Sequence, residues 1–122
     1  ADPDLVFVTC DTNVPIGRYT AQVLAAAGVH VRPDSFETSV KGIVNKILLG
    51  EADAGIVYHS DVVAVGSAAD GVPIDPAFNL EVRYPIVTIG ENPTPTSRSF
   101  VEFLLSSPRA RAIFITYGFG QP

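Results

Sequence analysis

Cys10 and His59 are the first residues whose types suit chemistry, as a nucleophile and its base. Each follows an apolar run typical of a buried strand, so the ends of two strands would have to bring them together. A cysteine that closes an apolar run is more often inert core. A serine nucleophile would depend on the same two histidines of the chain, His30 and His59. We therefore predict no catalytic residues and a protein that is not an enzyme.

Metal binding has little support in the sequence. The two histidines lie far apart in the chain, and no close pair of metal-ligating residues falls on one helix or turn. The nearby carboxylates Glu51, Asp53 and Asp61 are predicted to be solvated charges rather than an acid and base pair. We expect neither a bound metal nor a cofactor.

A third kind of chemistry uses neutral hydrogen-bond donors. Pro15 suits the first turn of a helix, and Thr38 or Ser39 suits the N-cap of a second helix. Each helix start has free backbone N–H groups and a partial positive charge, and Tyr58 adds a phenol at a strand end. These groups would form a cup for a small anion. Every α/β domain has helix starts at this edge, so a purely structural role stays open.

The pattern of elements predicts that these donors meet. Strands are expected at residues 5–9, 29–32 and 55–58, with helices at 15–27 and 39–49 between them. This β-α-β-α-β order predicts an α/β fold with three α/β/α layers and a mostly parallel sheet. In such sheets ligands lie outside the carboxyl ends of the strands. No glycine-rich phosphate-binding motif accompanies the first strand and helix.

The remainder of the chain is predicted to continue a single domain. A short helical turn is expected at residues 61–65, and a long or bent strand at 80–89, with an edge or crossing point at Pro85. Two helices are expected at residues 96–105 and 108–117. We predict one domain for the 122 residues.

Composition restricts the partners of the chain. Its 8 basic and 13 acidic residues give a formal net charge of −5, which disfavours nucleic acid and anionic membranes as partners. An anionic ligand would therefore have to be held by locally aimed donors. The sequence has no apolar stretch near ~20 residues and no signal-peptide pattern at its start, so we expect a cytosolic protein, a mature chain or an excised piece.

Two motifs resemble those of the periplasmic molybdate-binding proteins of ABC importers. They are VPIGRY at residues 14–19 and GEADAGIVY at 50–58, and Tyr84-Pro85 and the end of the chain are also similar. The resemblance implies one lobe of a type II periplasmic-binding-protein fold. In that lobe about residues 1–83 form the core, and about 84–122 form a returning strand and two helices.

The resemblance also implies a site and a function. The backbone N–H groups of Ile16 and Val40 and the hydroxyl of Tyr58 would bind molybdate or tungstate, with no cofactor. The partner would be the membrane permease of an ABC importer, and the location periplasmic or extracellular, with any membrane anchor before Ala1. A ligand-sensing domain of a transcription regulator, which can share this architecture, is the alternative.

The chain departs from the family in two ways. The family commonly has alanine where this chain has Ile16, so we expect the larger side chain to narrow the pocket or alter its closure. The first lobe, which supplies serine hydroxyl ligands in the family, is absent from the sequence. The uncovered apolar surface favours a homodimer of the fragment.

Overall fold

The computed structural model describes residues 4–121, so residues 1–3 and 122 of the predicted domain lie outside it. The described chain divides after Leu80 into two units. The first unit consists of β1 (Phe7–Cys10), α1 (Pro15–Ala26), β2 (Ser35–Glu37), α2 (Val40–Leu48), β3 (Ala54–Gly55), α3 (His59–Val65) and a 3-10 turn (Gly66–Ala68). The second unit contains α4 (Pro95–Ser106) and α5 (Pro108–Thr116).

The first unit is built on a parallel sheet with the strand order β2-β1-β3. Val8 of β1 pairs with Ser35 on one side and with Gly55 on the other. All four residues of β1 are buried, as expected for a central strand. The chain moves one way from β1 to β2 and back the other way to β3, so right-handed crossovers place α1 and α2 on opposite faces. The predicted α/β fold is confirmed.

Local signals determine where the first two helices begin and end. Pro15 is the first residue of α1, and the Ser39 hydroxyl caps α2 by accepting the N–H of Gly42 at 3.3 Å. Gly28 and Gly50 follow these helices with φ angles of 64° and 71°, a region that side chains disfavour. Both predicted helices are confirmed to within two residues at each end.

The second strand lies later in the chain than predicted. We expected it at residues 29–32, but β2 is Ser35–Glu37. Pairing with β1 begins only after Pro33, because Asp34 donates its N–H to the carbonyl of Phe7 at 2.8 Å and accepts the N–H of Phe7 on its carboxylate at 2.8 Å. Residues 29–32 are exposed and precede this ladder.

Two other predicted strands are shortened or missing. β3 spans only Ala54–Gly55 and not residues 55–58, because its pairing with β1 is confined to Phe7 and Val8. The strand expected at residues 80–89 is absent from the described chain, where that segment has no paired neighbour. A ladder requires a partner strand, and Pro85 lacks a donor.

The second unit begins with this unpaired segment and ends in the two predicted helices, which are both confirmed. The Thr94 and Ser107 hydroxyls cap them by accepting the N–H groups of Ser97 and Arg109, each at 3.2 Å. Across residues 4–121, no helix is long and apolar enough to cross a membrane. The grouping of the whole chain into one lobe stays a prediction.

The core of the first unit lies between the sheet and its helices. Ile43 of α2 is fully buried and packs with Val8 and Cys10 of β1. Gly55 leaves room for this packing, since a Cβ at that position would overlap the Ile43 side chain. The complete buried cluster is Val8, Cys10, Ile16, Ile43 and Ala52.

Candidate functional site

The three predicted site residues lie where the carboxyl ends of the strands lead into helices. Ile16 is the second residue of α1, Val40 is the first residue of α2, and Tyr58 immediately precedes α3. Ile16 belongs to the buried core cluster, and Val40 and Tyr58 pack against that cluster. The structure therefore brings all three residues to one region of the first unit.

A tight turn sets the start of α1. The Asp11 carboxylate accepts the N–H of Asn13 at 2.8 Å, and its carbonyl accepts the N–H of Val14 at 2.9 Å. The Val14 carbonyl in turn accepts the N–H of Gly17 at 3.0 Å. The N–H of Ile16 has no hydrogen-bond acceptor among the described residues. It is a free donor of the first helical turn.

Arg18 supports this turn, although the sequence analysis assigned it no role of its own. Its Nη1 donates to the carbonyl oxygens of Thr12 at 3.3 Å and Asn13 at 3.4 Å. These bonds occupy two carbonyl groups that precede α1 and hold a cation near the helix start. Both effects make the surroundings of the Ile16 N–H more favourable to an anion.

The side chain of Ile16 points into the protein and not toward the donors. Its exposed fraction is 3%, and it packs with Val8, Cys10, Ile43 and Ala52. Within this unit, the isoleucine thus fills core volume, and its effect on the width or closure of a ligand pocket stays a prediction. The backbone N–H remains the group available to a ligand.

The start of α2, like that of α1, has backbone N–H groups without an acceptor in the described chain. The N–H of Gly42 is satisfied by both the carbonyl and the hydroxyl of Ser39, at 3.0 and 3.3 Å. The N–H groups of Val40 and Lys41 have no acceptor within residues 4–121. The cap therefore orders the first turn and leaves its two leading donors free.

Tyr58 is fixed by a reciprocal cap at the start of α3. Its N–H donates to the Asp61 carboxylate at 3.1 Å, and its carbonyl accepts the N–H of Asp61 at 2.9 Å. The Asp53 carboxylate likewise accepts the N–H of Val6 at 2.8 Å. The prediction that these carboxylates are solvated charges rather than an acid and base pair is thus incomplete for Asp53 and Asp61, because each accepts a backbone N–H. An acidic residue three positions after the N-cap Tyr58 was the available signal for Asp61.

A polar network beside α2 was not found by sequence reasoning. Lys46 Nζ lies 2.7 Å from Glu37 Oε1 and donates to Ser35 Oγ at 2.9 Å. The Ser35 hydroxyl donates to Glu37 Oε1 at 3.0 Å. The hydrogen bonds from Lys46 and then Ser35 lower the pKa of the Glu37 carboxyl, which favours its charged form. The network links β2 to α2.

Cys10 does not have the surroundings of a nucleophile. Its side chain is buried in the core cluster, and burial, followed by the charge of Glu37, raises the pKa of the thiol. A reactive cysteine requires the thiolate, which these surroundings disfavour. His59 is exposed at the first residue of α3. These placements argue against a cysteine-dependent enzyme.

A groove of about 600 Å³ in the first unit is lined by Cys10, Thr12 and Gly17 near the start of α1, by further residues of α1, and by residues 29–33 and Phe36. It is largely apolar and contains none of the three predicted site residues. The buried hydroxyls of Thr9 and Thr20 line it and have no hydrogen-bond partner in the described chain. Its shape and lining do not suit a small anion, so the helix starts remain the candidate site.

Comparison with known proteins supports the resemblance seen in the motifs. A family model for bacterial extracellular solute-binding proteins matches residues 1–120. The molybdate-binding proteins ModA of Mycobacterium bovis and Mycobacterium tuberculosis are 34% identical to this chain over 121 residues, which is 98% of its length. The chain covers 46% of the length of these relatives. No solved structure matches it significantly.

Proposed function

Because this chain belongs to the bacterial extracellular solute-binding protein family, we propose that it forms one lobe of a protein that binds molybdate or tungstate. The observation that carries the proposal is the pair of free donors at two helix starts. The N–H groups of Ile16 and Val40 have no acceptor among the described residues, and both residues belong to or contact the same core cluster. Tyr58 contacts that cluster and would add its hydroxyl.

Neutral donors suit an oxyanion that carries no proton. A backbone N–H group donates to a bare oxygen, but it cannot accept a hydrogen bond from a protonated oxygen. Molybdate, tungstate and sulfate are unprotonated at neutral pH, whereas phosphate is not. We therefore expect phosphate to be rejected by its proton, and sulfate by its smaller size.

The net charge of −5 makes this arrangement necessary. The average field of the chain repels an anion, so binding depends on donors that are aimed at close range. The carboxylates of Asp11, Glu37 and Asp61 are each engaged by donors of the protein. This engagement limits their repulsion of a ligand.

Isothermal titration of the full-length protein tests the proposal. Molybdate and tungstate should release binding heat, and sulfate and phosphate should bind far more weakly. Absence of a signal with every one of these oxyanions would exclude the proposed function. The separate chain should bind weakly, because the other lobe would supply the remaining ligands. Micromolar or tighter binding by the chain alone would contradict the two-lobed arrangement.

The proposed cellular role is delivery of the oxyanion to the membrane permease of an ABC importer, outside the cytoplasm. The ModA relatives are named for molybdate binding, and the family is described as extracellular. Such a protein transfers its ligand unchanged, so we propose that it is not an enzyme and uses no cofactor. Nothing in the structure or the matches favours the alternative of a regulator's sensing domain. A helix-turn-helix segment encoded upstream in the gene would support the sensing-domain alternative.

We also propose that the separate chain forms homodimers. Several large apolar side chains are strongly exposed, among them Val72, Val87 and Ile89. Exposed apolar side chains of this kind favour association. Light scattering across a concentration series measures the mass, and a constant monomer mass would contradict the dimer.

A further inference from the structure

Glu37 lies against the same turn of α2 that begins with the Val40 N–H. Its side chain passes over Gly42, the third residue of the helix. A Cβ at Gly42 would lie 2.9 Å from Glu37 Oε2 and 3.2 Å from the Glu37 Cβ. The glycine thus allows a carboxylate to approach the positive end of the helix.

A carboxylate at this position opposes an anionic ligand. The start of α2 carries a partial positive charge that stabilises a nearby anion. Glu37 and a bound oxyanion would both interact with this charge. Two like charges near one helix end also repel each other, and the repulsion is largest for a dianion. Left without a cation, Glu37 would weaken anion binding at the Val40 N–H.

Lys46 supplies that cation from the last turn of the same helix. Its ammonium group lies 2.7 Å from Glu37 Oε1, and the two side chains are only 32% and 19% exposed. The Ser35 hydroxyl, which bonds to both groups, fixes the geometry of the pair. The pair is therefore better ordered than an exposed ion pair and is less screened by solvent.

We propose that Lys46 determines the oxyanion affinity of this lobe, without contacting the ligand, by neutralising Glu37 beside the first turn of α2. This inference rests on the proposed function and adds a residue that acts through another. It predicts a particular pattern of coupling. Loss of Lys46 should weaken binding only while Glu37 keeps its charge.

A double-mutant cycle in the full-length protein tests this coupling by titration with molybdate. Lys46→Gln should raise the Kd about tenfold, as expected for about 1.4 kcal/mol of uncompensated repulsion. Glu37→Gln should bind at least as tightly as the wild type. The double variant should return to within about twofold of the wild-type Kd. Lys46→Arg keeps the charge and should stay close to the wild type.

Arg83 and Glu81 provide a matched control pair. They form an ion pair at 3.2 Å, but their side chains are 85% and 78% exposed. Arg83→Gln makes the same change in net charge as Lys46→Gln. It should alter the Kd by less than about twofold, because exposed pairs are strongly screened. A tenfold effect in this control would show that net charge alone explains the result and would overturn the inference.

The remaining outcomes are equally decisive. An unchanged Kd in Lys46→Gln, or a double variant as weak as that single variant, overturns the inference while leaving oxyanion binding intact. A wild-type protein that binds no oxyanion removes the proposed function, and the inference with it. If Lys46→Gln fails to fold, Glu37→Gln decides the matter, since weaker binding by that variant contradicts repulsion.

Discussion

Gly17 in the first turn of α1 lies directly against the carbonyl oxygen of Asp11. A Cβ at Gly17 would overlap this oxygen and would also come within 2.5 Å of the carbonyl oxygen of Cys10. Both oxygens belong to the backbone at the end of β1, so neither can rotate away. The absence of a side chain at Gly17 thus permits the close approach of helix and strand that places the Ile16 N–H.

Gly17→Ala should therefore destabilise the protein even though alanine favours helices. We expect a loss of about 1–3 kcal/mol in the free energy of unfolding, typical of overpacking, and weaker oxyanion binding as α1 shifts. Urea denaturation and titration measure the two effects. Gly120→Ala is the control, because a Cβ there meets no atom within 4 Å. Equal stability of the two variants would refute the close approach.

Ile16→Ala should lower the stability of the protein and leave its affinity for molybdate nearly unchanged. The isoleucine side chain is 3% exposed in the core cluster, so its truncation should cost about 2–5 kcal/mol. The backbone N–H is unchanged, and we expect the Kd for molybdate to stay within about threefold at temperatures where the variant is folded. Ile115→Ala, at an exposed position of α5, should cost under about 0.5 kcal/mol. A large loss of affinity would mean that the side chain also shapes the pocket.

Tyr58→Phe should weaken the binding of molybdate. It removes only a hydroxyl, and a hydrogen bond to a charged ligand contributes about 1.5–3 kcal/mol, so we expect the Kd to rise roughly ten- to a hundredfold. The hydrogen bonds between the Tyr58 backbone and Asp61 do not involve the hydroxyl and should remain. Tyr117→Phe, at an exposed residue, is the matched control. An unchanged Kd for Tyr58→Phe would remove this residue from the proposed site.

The sequence predicted those parts of the fold that depend on neighbouring residues. Pro15, Ser39 and Gly50 act within a single helical turn, so their positions in the chain were enough to locate helix boundaries. The free N–H groups of Ile16 and Val40 follow from these boundaries. The donors of the candidate site were therefore accessible to sequence reasoning.

Relationships between distant residues were not accessible in this way. The hydrogen bonds between Asp34 and Phe7 begin the pairing of β2, and the alternating segment at residues 29–32 gave no sign of that register. Lys46 and Glu37 lie nine residues apart on different elements, so no helical spacing connects them. Their pairing depends on the packing of α2 against the sheet.

Ser39 variants should distinguish capping from charge. Ser39→Ala removes the hydroxyl that accepts the Gly42 N–H, and we expect a loss of about 1 kcal/mol in stability and weaker binding as the first turn of α2 frays. Ser39→Asp restores a good cap and should recover stability. Its negative charge lies beside the free Val40 N–H, however, so oxyanion binding should stay weak. Recovery of both properties by Ser39→Asp would contradict an anion site at this helix start.

The stability contributed by Glu37 should depend on pH. Hydrogen bonds from Lys46 and Ser35 lower the pKa of its carboxyl in the folded protein below the ordinary value of 4.5. The unfolded chain therefore takes up a proton first as the pH falls, and the contribution is fully present above about pH 4.5 and disappears as the pH falls through the lowered pKa. Urea denaturation from about pH 7 to pH 3 should show wild type and Glu37→Gln converging at the acid end. Glu102→Gln, at an exposed position of α4, is the control for the change of residue type. A stability difference between wild type and Glu37→Gln that stays constant over this range would contradict the ion pair.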